Sequence, residues 1–181
     1  MSPRWAAVLA VPLFAAAFGT AYLAAAPSRA GRVEDALELV RRGGERTVCL
    51  GGEPCIDPGA EHTLFVFFSP RDCAVGLYET AVLDRAYRAV PRRRLNVIGV
   101  TSELTRGQAA NFARASRISY PVYLDGGALG RHVRSPKGTR NRPVSVLVDR
   151  RGRVLQMWVA ASTVAGHEAR AASLARRVEG R

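Results

Sequence analysis

The chain has 181 residues, 48% of them apolar, which is enough for one compact domain and a short appendage but too few for two full domains. Its 27 basic and 15 acidic side chains leave a formal net charge of +12, which can attract nucleic acid, anionic membranes or acidic proteins. The basic residues are almost all arginine, with Lys137 the single lysine, and no DNA- or RNA-binding motif accompanies them. We therefore expect no nucleic-acid partner.

The first feature in chain order is an uncharged run over residues 5–26. At about 1.5 Å per residue it is long enough to cross a hydrocarbon core of ~30 Å, and it exceeds the ~7–15 residues of a usual signal-peptide core. Pro12, Gly19 and the small residues after the run instead favour a cleaved signal peptide. Residues 1–31 are therefore predicted to be a signal anchor or a signal peptide with a linker. Residues 32–181 then form a domain that is membrane-anchored and extracytoplasmic, or secreted or periplasmic after cleavage.

The remaining chain alternates between helical and strand-like apolar patterns. The segments HTLFVFFS and LNVIGVTS are almost continuously apolar, as expected of strands covered on both faces. A helical pattern follows Cys73 and ends before Pro91, because proline cannot continue a helix. Strands are predicted at 62–69, 95–102, 120–125, 144–149 and 153–160, and helices at 33–43, 74–90, 104–118, 127–133 and 162–178. This order predicts an α/β domain around a mixed sheet.

Four segments carry a resemblance to a known family: FVFFSPRDCAVGLYE (65–79), NVIGVTSE (96–103), YPVYLDGGALGRHV (120–133) and RPVSVLVDRRGRVL (142–155). They resemble the thioredoxin-like superfamily, and within it the exported, membrane-tethered thiol-disulfide oxidoreductases and the related redoxin group. The resemblance implies a three-layer α/β/α fold with a central mixed sheet. To this the sequence adds an N-terminal β-hairpin extension, because residues 47–56 read as two short apolar arms around a Gly-Gly-Glu turn.

The same resemblance implies a site. Cys73 occupies the position of the nucleophilic thiol, where a helix start and neighbouring cations favour the thiolate. Arg142 and Pro143 match the pair at the cis-proline position beside that thiol, where an exposed backbone edge binds an incoming peptide strand. The second cysteine of the usual Cys-x-x-Cys motif is absent, because Gly76 stands in its place. The usual release of a mixed disulfide by the second thiol is then missing.

The other two cysteines, Cys49 and Cys55, face each other across the predicted hairpin. In an exported protein a Cys49–Cys55 disulfide is one interpretation. The alternatives are that one of them is the resolving partner of Cys73, or that all three are buried small apolar residues. We expect neither a metal nor another cofactor, because no histidine has metal-ligand spacing to these thiols.

Three functions follow. The first is thiol-disulfide exchange through Cys73, with protein thiols or disulfides as partners and the N-terminal segment at the membrane. The second is a non-catalytic binding or assembly module at the membrane, which the missing cysteine favours. The third is a single-cysteine peroxidase, although peroxiredoxins usually carry Pro-x-x-x-Thr-x-x-Cys and residues 69–73 read Ser-Pro-Arg-Asp-Cys, without the threonine.

Overall fold

The fold was obtained as a computed structural model of the chain. It describes residues 38, 46–50, 55–72, 74–126, 129, 143–161 and 163–180.

Six strands form one mixed sheet in the order β1-β4-β3-β2-β5-β6. The strands are β1 (Thr47–Val48), β2 (His62–Phe67), β3 (Leu95–Thr101), β4 (Val122–Leu124), β5 (Val144–Asp149) and β6 (Val154–Val159). The central strands β2, β3 and β4 run parallel, whereas β1, β5 and β6 are each antiparallel to their inner neighbour. All seven residues of β3 are buried, which explains its continuously apolar sequence.

Three helices are described: α1 (Ala74–Ala89), α2 (Arg106–Ala115) and α3 (Val164–Glu179). Helix α2 begins with a capping box, in which the Thr105 hydroxyl accepts from the Gln108 amide and the Gln108 side chain accepts from the Thr105 amide. Helix α3 begins at a Thr163 cap and ends at Gly180, whose φ of 74° is a left-handed conformation that glycine adopts without strain. Local polar residues therefore set these helix ends.

The two faces of the sheet carry separate apolar clusters, because successive side chains of a strand alternate between faces. Leu64 and Val66 of β2 belong to the larger cluster, which also contains residues from α1, α2 and α3. Phe65 belongs to the smaller cluster, which Ile56 and Leu129 join from outside the strands. Full burial of each large apolar side chain contributes roughly 1.5–3 kcal/mol, so the larger cluster is the main support of the sheet.

The sequence-based prediction of an α/β thioredoxin-like fold is confirmed, and the strands and helices from β2 onward fall within a few residues of their predicted bounds. The N-terminal extension differs from the prediction. Thr47 and Val48 pair with β4, and Cys55 and Ile56 are not in a strand, so β1 is an edge of the main sheet instead of one arm of a separate hairpin. The open edge of β4 offers β1 a backbone partner that local sequence does not reveal.

Several predictions lie outside the described residues. They are the helices at 33–43, apart from Glu38, and at 127–133, and the turn over 51–53. The apolar run at 5–26 lies outside them as well. No helix in the part of the chain that the structure describes is long and apolar enough to cross a membrane.

Candidate functional site

The carboxyl ends of β2, β3 and β4 meet at one edge of the sheet because these strands are parallel. In open α/β sheets this edge is where ligands bind. Strand β5 runs antiparallel to β2 with Phe67 opposite Val144, so Pro143 arrives at the same edge. The turn after β2 and the start of β5 are therefore neighbours, as the sequence predicts for Cys73 and Pro143.

The turn after β2 is fixed by its own polar groups. The backbone N–H of Ser69 donates to Oδ2 of Asp72 at 2.8 Å, and the N–H of Asp72 donates to the Ser69 carbonyl at 3.0 Å. The Ser69 hydroxyl accepts from the N–H of Arg71 at 3.1 Å. Such local bonds hold the backbone of 69–72 in one conformation. Helix α1 begins at Ala74, two residues after this turn.

The charges around the turn oppose each other. Burial raises the pKa of Asp72; the Ser69 N–H lowers it and the nearby Glu103 carboxylate raises it further. Arg71 and Glu103 form an exposed ion pair with 3.6 Å between Nε and Oε2. When ionised, Asp72 is a negative charge directly beside residue 73 in the chain, so it disfavours a second negative charge there.

Of the predicted site residues, Cys73 and Arg142 lie outside the described residues. Pro143 is described and buried, and its carbonyl accepts a hydrogen bond from the Ala160 amide at 2.8 Å. This bond joins the start of β5 to the chain that follows β6. The cis form of the Arg142–Pro143 bond and its part in peptide binding stay predictions.

Cys49 and Cys55 are joined by a disulfide with a Cα–Cα distance of 5.8 Å. The bridge lies near the amino ends of the parallel strands, because Val48 pairs with Val122 at the start of β4 and Asp57 bonds to Asn96 at the start of β3. The Cys73 turn follows the carboxyl end of β2. The length of a strand of seven residues, roughly 20 Å, therefore separates the two regions. This separation argues against Cys49 or Cys55 as a resolving partner.

A buried cluster that the sequence analysis missed surrounds Glu79, in the second turn of α1. Its carboxylate accepts from Trp158 Nε1 at 2.8 Å, from the Ser145 hydroxyl and the Ala161 N–H at 3.3 Å, and from His167 Nδ1 at 2.9 Å. The Arg170 guanidinium lies at 3.6 Å. The cluster ties α1 to β5, β6 and α3.

A sequence signal for this cluster exists. Glu79 lies three and four residues before Val82 and Leu83, so it falls on the buried face of α1. A glutamate on such a face needs partners from other elements, because an unpaired buried charge is unfavourable. Helix periodicity therefore indicates a buried polar site but not which residues complete it. In the described part of the chain, no group of three or more potential metal ligands comes together.

No protein-family model matches the chain, and no curated protein matches it in sequence. Its fold is similar to that of the bacterioferritin comigratory protein of Xanthomonas campestris, studied for its alkyl peroxide reduction activity. That comparison has a TM-score of 0.53 and 17% identity over 67% of this chain and 82% of the other.

A mutant of Xylella fastidiosa PrxQ is similar with a TM-score of 0.53 and 12% identity, over 69% of this chain and 81% of that one. A Bacteroides thetaiotaomicron protein described as a candidate protein disulfide isomerase has a TM-score of 0.50 and 16% identity, over 66% of this chain and 72% of its own. At these identities the comparisons bear on fold alone. The chain has a thioredoxin-like α/β fold.

Proposed function

We propose that this chain is an exported thioredoxin-fold protein that performs thiol-disulfide exchange through Cys73. Protein thiols or disulfides are its partners, and the N-terminal segment keeps it at a membrane or directs it out of the cytoplasm. The observation that supports this most is the position of Cys73 in the chain. It stands between a turn fixed by Ser69 and Asp72 and the first residue of α1, Ala74, at the edge that also receives Pro143.

A helix start favours a thiolate, because unpaired backbone N–H groups and the helix dipole place partial positive charge there. The Cys73 thiolate then attacks one sulfur of a disulfide. A bond forms between that sulfur and Cys73, the original disulfide bond breaks, and the other half leaves as a thiolate. Asp72 moderates this reactivity, since its charge opposes the thiolate from the neighbouring position.

Release of the mixed disulfide requires a second thiol. Gly76 lies in the first turn of α1 and supplies none, and Cys49 and Cys55 are bonded to each other near the opposite edge of the sheet. The resolving thiol therefore comes from another molecule. This feature supports a protein that forms long-lived mixed disulfides with a partner and turns over only when an external thiol is present.

The test uses the full-length protein in a non-ionic detergent. With Cys49 and Cys55 oxidised, Cys73 is the only reduced thiol, so iodoacetamide labelling followed by mass spectrometry reports on it alone, with Cys73→Ser as the blank. We expect fast alkylation, accumulation of a Cys73 mixed disulfide with an oxidised peptide, and measurable insulin reduction only in Gly76→Cys. Alkylation no faster than that of an unfolded cysteine peptide, with no gain from Gly76→Cys, supports the non-catalytic module instead.

Single-cysteine peroxide reduction is the second candidate. It is favoured by the similarity in fold to the Xanthomonas campestris protein described for alkyl peroxide reduction. Residues 69–72 provide Ser69 but no threonine in the turn that peroxiredoxins use. Treatment with one equivalent of hydrogen peroxide and a sulfenic-acid probe separates the two functions. Rapid labelling of Cys73 supports the peroxidase, whereas slow labelling together with fast mixed-disulfide formation supports exchange.

A further inference from the structure

Helix α2 ends in a hydrogen-bonded arrangement that usually contains glycine. The N–H of Ile118 donates to the Ala113 carbonyl at 2.9 Å, and the N–H of Arg117 donates to the Arg114 carbonyl at 3.2 Å, which together form a Schellman motif. Its left-handed position is occupied by Arg117, with φ of 54°. Among the described residues, Arg117 is the only one other than glycine with positive φ. Arginine is strained there relative to glycine, so its side chain is retained at the expense of stability.

The Arg117 side chain lines a groove of about 380 Å³ against α1. Arg85 and Arg88 line the same groove, together with Tyr78, Asp84 and two small apolar residues of α1. At roughly 30 Å³ per water molecule, this is the volume of about a dozen waters, more than one carboxylate or phosphate requires. We call it the Arg117 groove.

Two of the three arginines already hold carboxylates of this chain. Nε of Arg88 donates to Oδ2 of Asp84 at 2.7 Å. Arg85 donates to Oε1 of Glu168, which also accepts from the Tyr78 hydroxyl at 3.3 Å. The hydrogen bond from Arg85 holds the pKa of Glu168 below its ordinary value. The guanidinium and phenol groups of the groove are therefore arranged as carboxylate donors.

The positive charge of the groove is not fully matched. Arg117 is exposed and has no ion-pair or hydrogen-bond partner for its side chain among the described residues. The side chains of Arg85 and Arg88 are 61% and 62% exposed, and each guanidinium has five N–H donors, of which the carboxylates of this chain use only some. Charge-assisted donors thus remain for an incoming anion.

We propose that the Arg117 groove binds an acidic peptide segment of a partner protein. A glutamate or aspartate carboxylate pairs with Arg117 and takes the spare donors of Arg85 and Arg88, and the aliphatic part of the peptide lies on the apolar residues of α1. The elongated volume fits an extended peptide better than a small dicarboxylate. Arg88 lies roughly 20 Å farther along α1 than Ala74 at ~1.5 Å per residue, so binding here does not depend on thiol chemistry.

The experiment titrates full-length protein, in a non-ionic detergent at low salt, into a fluorescein-labelled hexaglutamate peptide and follows anisotropy. Arg117→Gly should weaken binding about tenfold, the loss expected for a charge-assisted hydrogen-bonding partner. Because glycine fits the left-handed position, the same variant should raise Tm by about 2–4 °C. Arg114→Ala removes an equal charge from the same helix outside the groove and should bind as wild type does.

Equal losses in Arg117→Gly and Arg114→Ala would mean that net charge alone attracts the peptide and would overturn the proposal. So would wild-type affinity in Arg117→Gly accompanied by the expected rise in Tm, since that variant is then folded and relieved of strain. Succinate that displaces the peptide at an equal carboxylate concentration would identify a free dicarboxylate as the ligand and would also contradict a peptide site.

Discussion

Replacement of Glu79 by glutamine tests whether the buried cluster holds α1 against the sheet. The glutamate side chain is 1% exposed and accepts four hydrogen bonds from three other elements and the segment after β6. Glutamine has the same shape but only one acceptor oxygen. Whichever way its amide turns, the NH₂ group faces donors: the indole of Trp158 on one side, or the Ala161 N–H and His167 on the other.

The expected loss follows from these contacts. A buried donor left without an acceptor costs about 1–3 kcal/mol, and hydrogen bonds to a charged acceptor contribute about 1.5–3 kcal/mol. His167 cannot compensate without loss, because its Nε2 is buried with no partner and would become an unpaired donor if the tautomer changed. We expect Glu79→Gln to lower the unfolding free energy by about 3 kcal/mol, a Tm decrease of roughly 6–12 °C at this chain length.

Urea unfolding of the full-length protein at pH 7, followed by far-UV circular dichroism and tryptophan fluorescence, measures the loss. Glu103→Gln is the matched control, since it removes an exposed carboxylate whose ion pair with Arg71 contributes about 0–1 kcal/mol. A Glu79→Gln variant within about 0.5 kcal/mol of the control would refute the reasoning, because it would mean that the carboxylate cluster is not needed to dock α1.

Three further predictions concern the sheet. Gly99→Ala should lower the unfolding free energy by about 1–3 kcal/mol in the same assay, because the added Cβ would lie 3.0 Å from an aromatic ring in the core; no loss would show that the core can shift. Burial raises the pKa of Asp149, but hydrogen bonds from Arg153 and the turn outweigh it and hold the pKa below its usual range. Asp149→Asn should therefore destabilise by about 1 kcal/mol at pH 7, and the difference from wild type should shrink below about pH 4, where the carboxylate becomes protonated; a difference independent of pH would contradict this. Replacing both Cys49 and Cys55 by serine should lower stability by about 2 kcal/mol, as expected for a short closed loop, without slowing alkylation of the remaining thiol; slower alkylation would link the bridge to the site.

Patterns that are local in the sequence predicted most of the fold. The apolar run at 62–69, the stop at Pro91 and the hairpin over 144–160 each depend on residues close together in the chain, and each corresponds to an element of the structure. The pairing of β1 with β4 could not be predicted in the same way. It joins residues more than 70 positions apart through backbone bonds that any side chain permits.

The site shows the same limit. Adjacent strand and helix signals predicted that Cys73 lies at a turn before a helix, and the turn over 69–72 is present. The Glu79 cluster required knowledge of which side chains β5, β6 and α3 bring to one point. Arg117 was harder still, because the helix-stop rules look for glycine or asparagine after a helix, and an arginine in that position gives no signal.

The sheet ends, at the β4 side, in a strand of only two residues, and the Cys49–Cys55 bridge closes the chain directly after it. Strand edges with free N–H and C=O groups are templates for unwanted pairing between molecules, and proteins protect them with short, covered or charged edges. Here a covalent link keeps a very short strand in place over the edge of β4. An oxidising compartment would thus preserve solubility as well as stability, whereas reduction would uncover this edge and favour aggregation between copies of the chain.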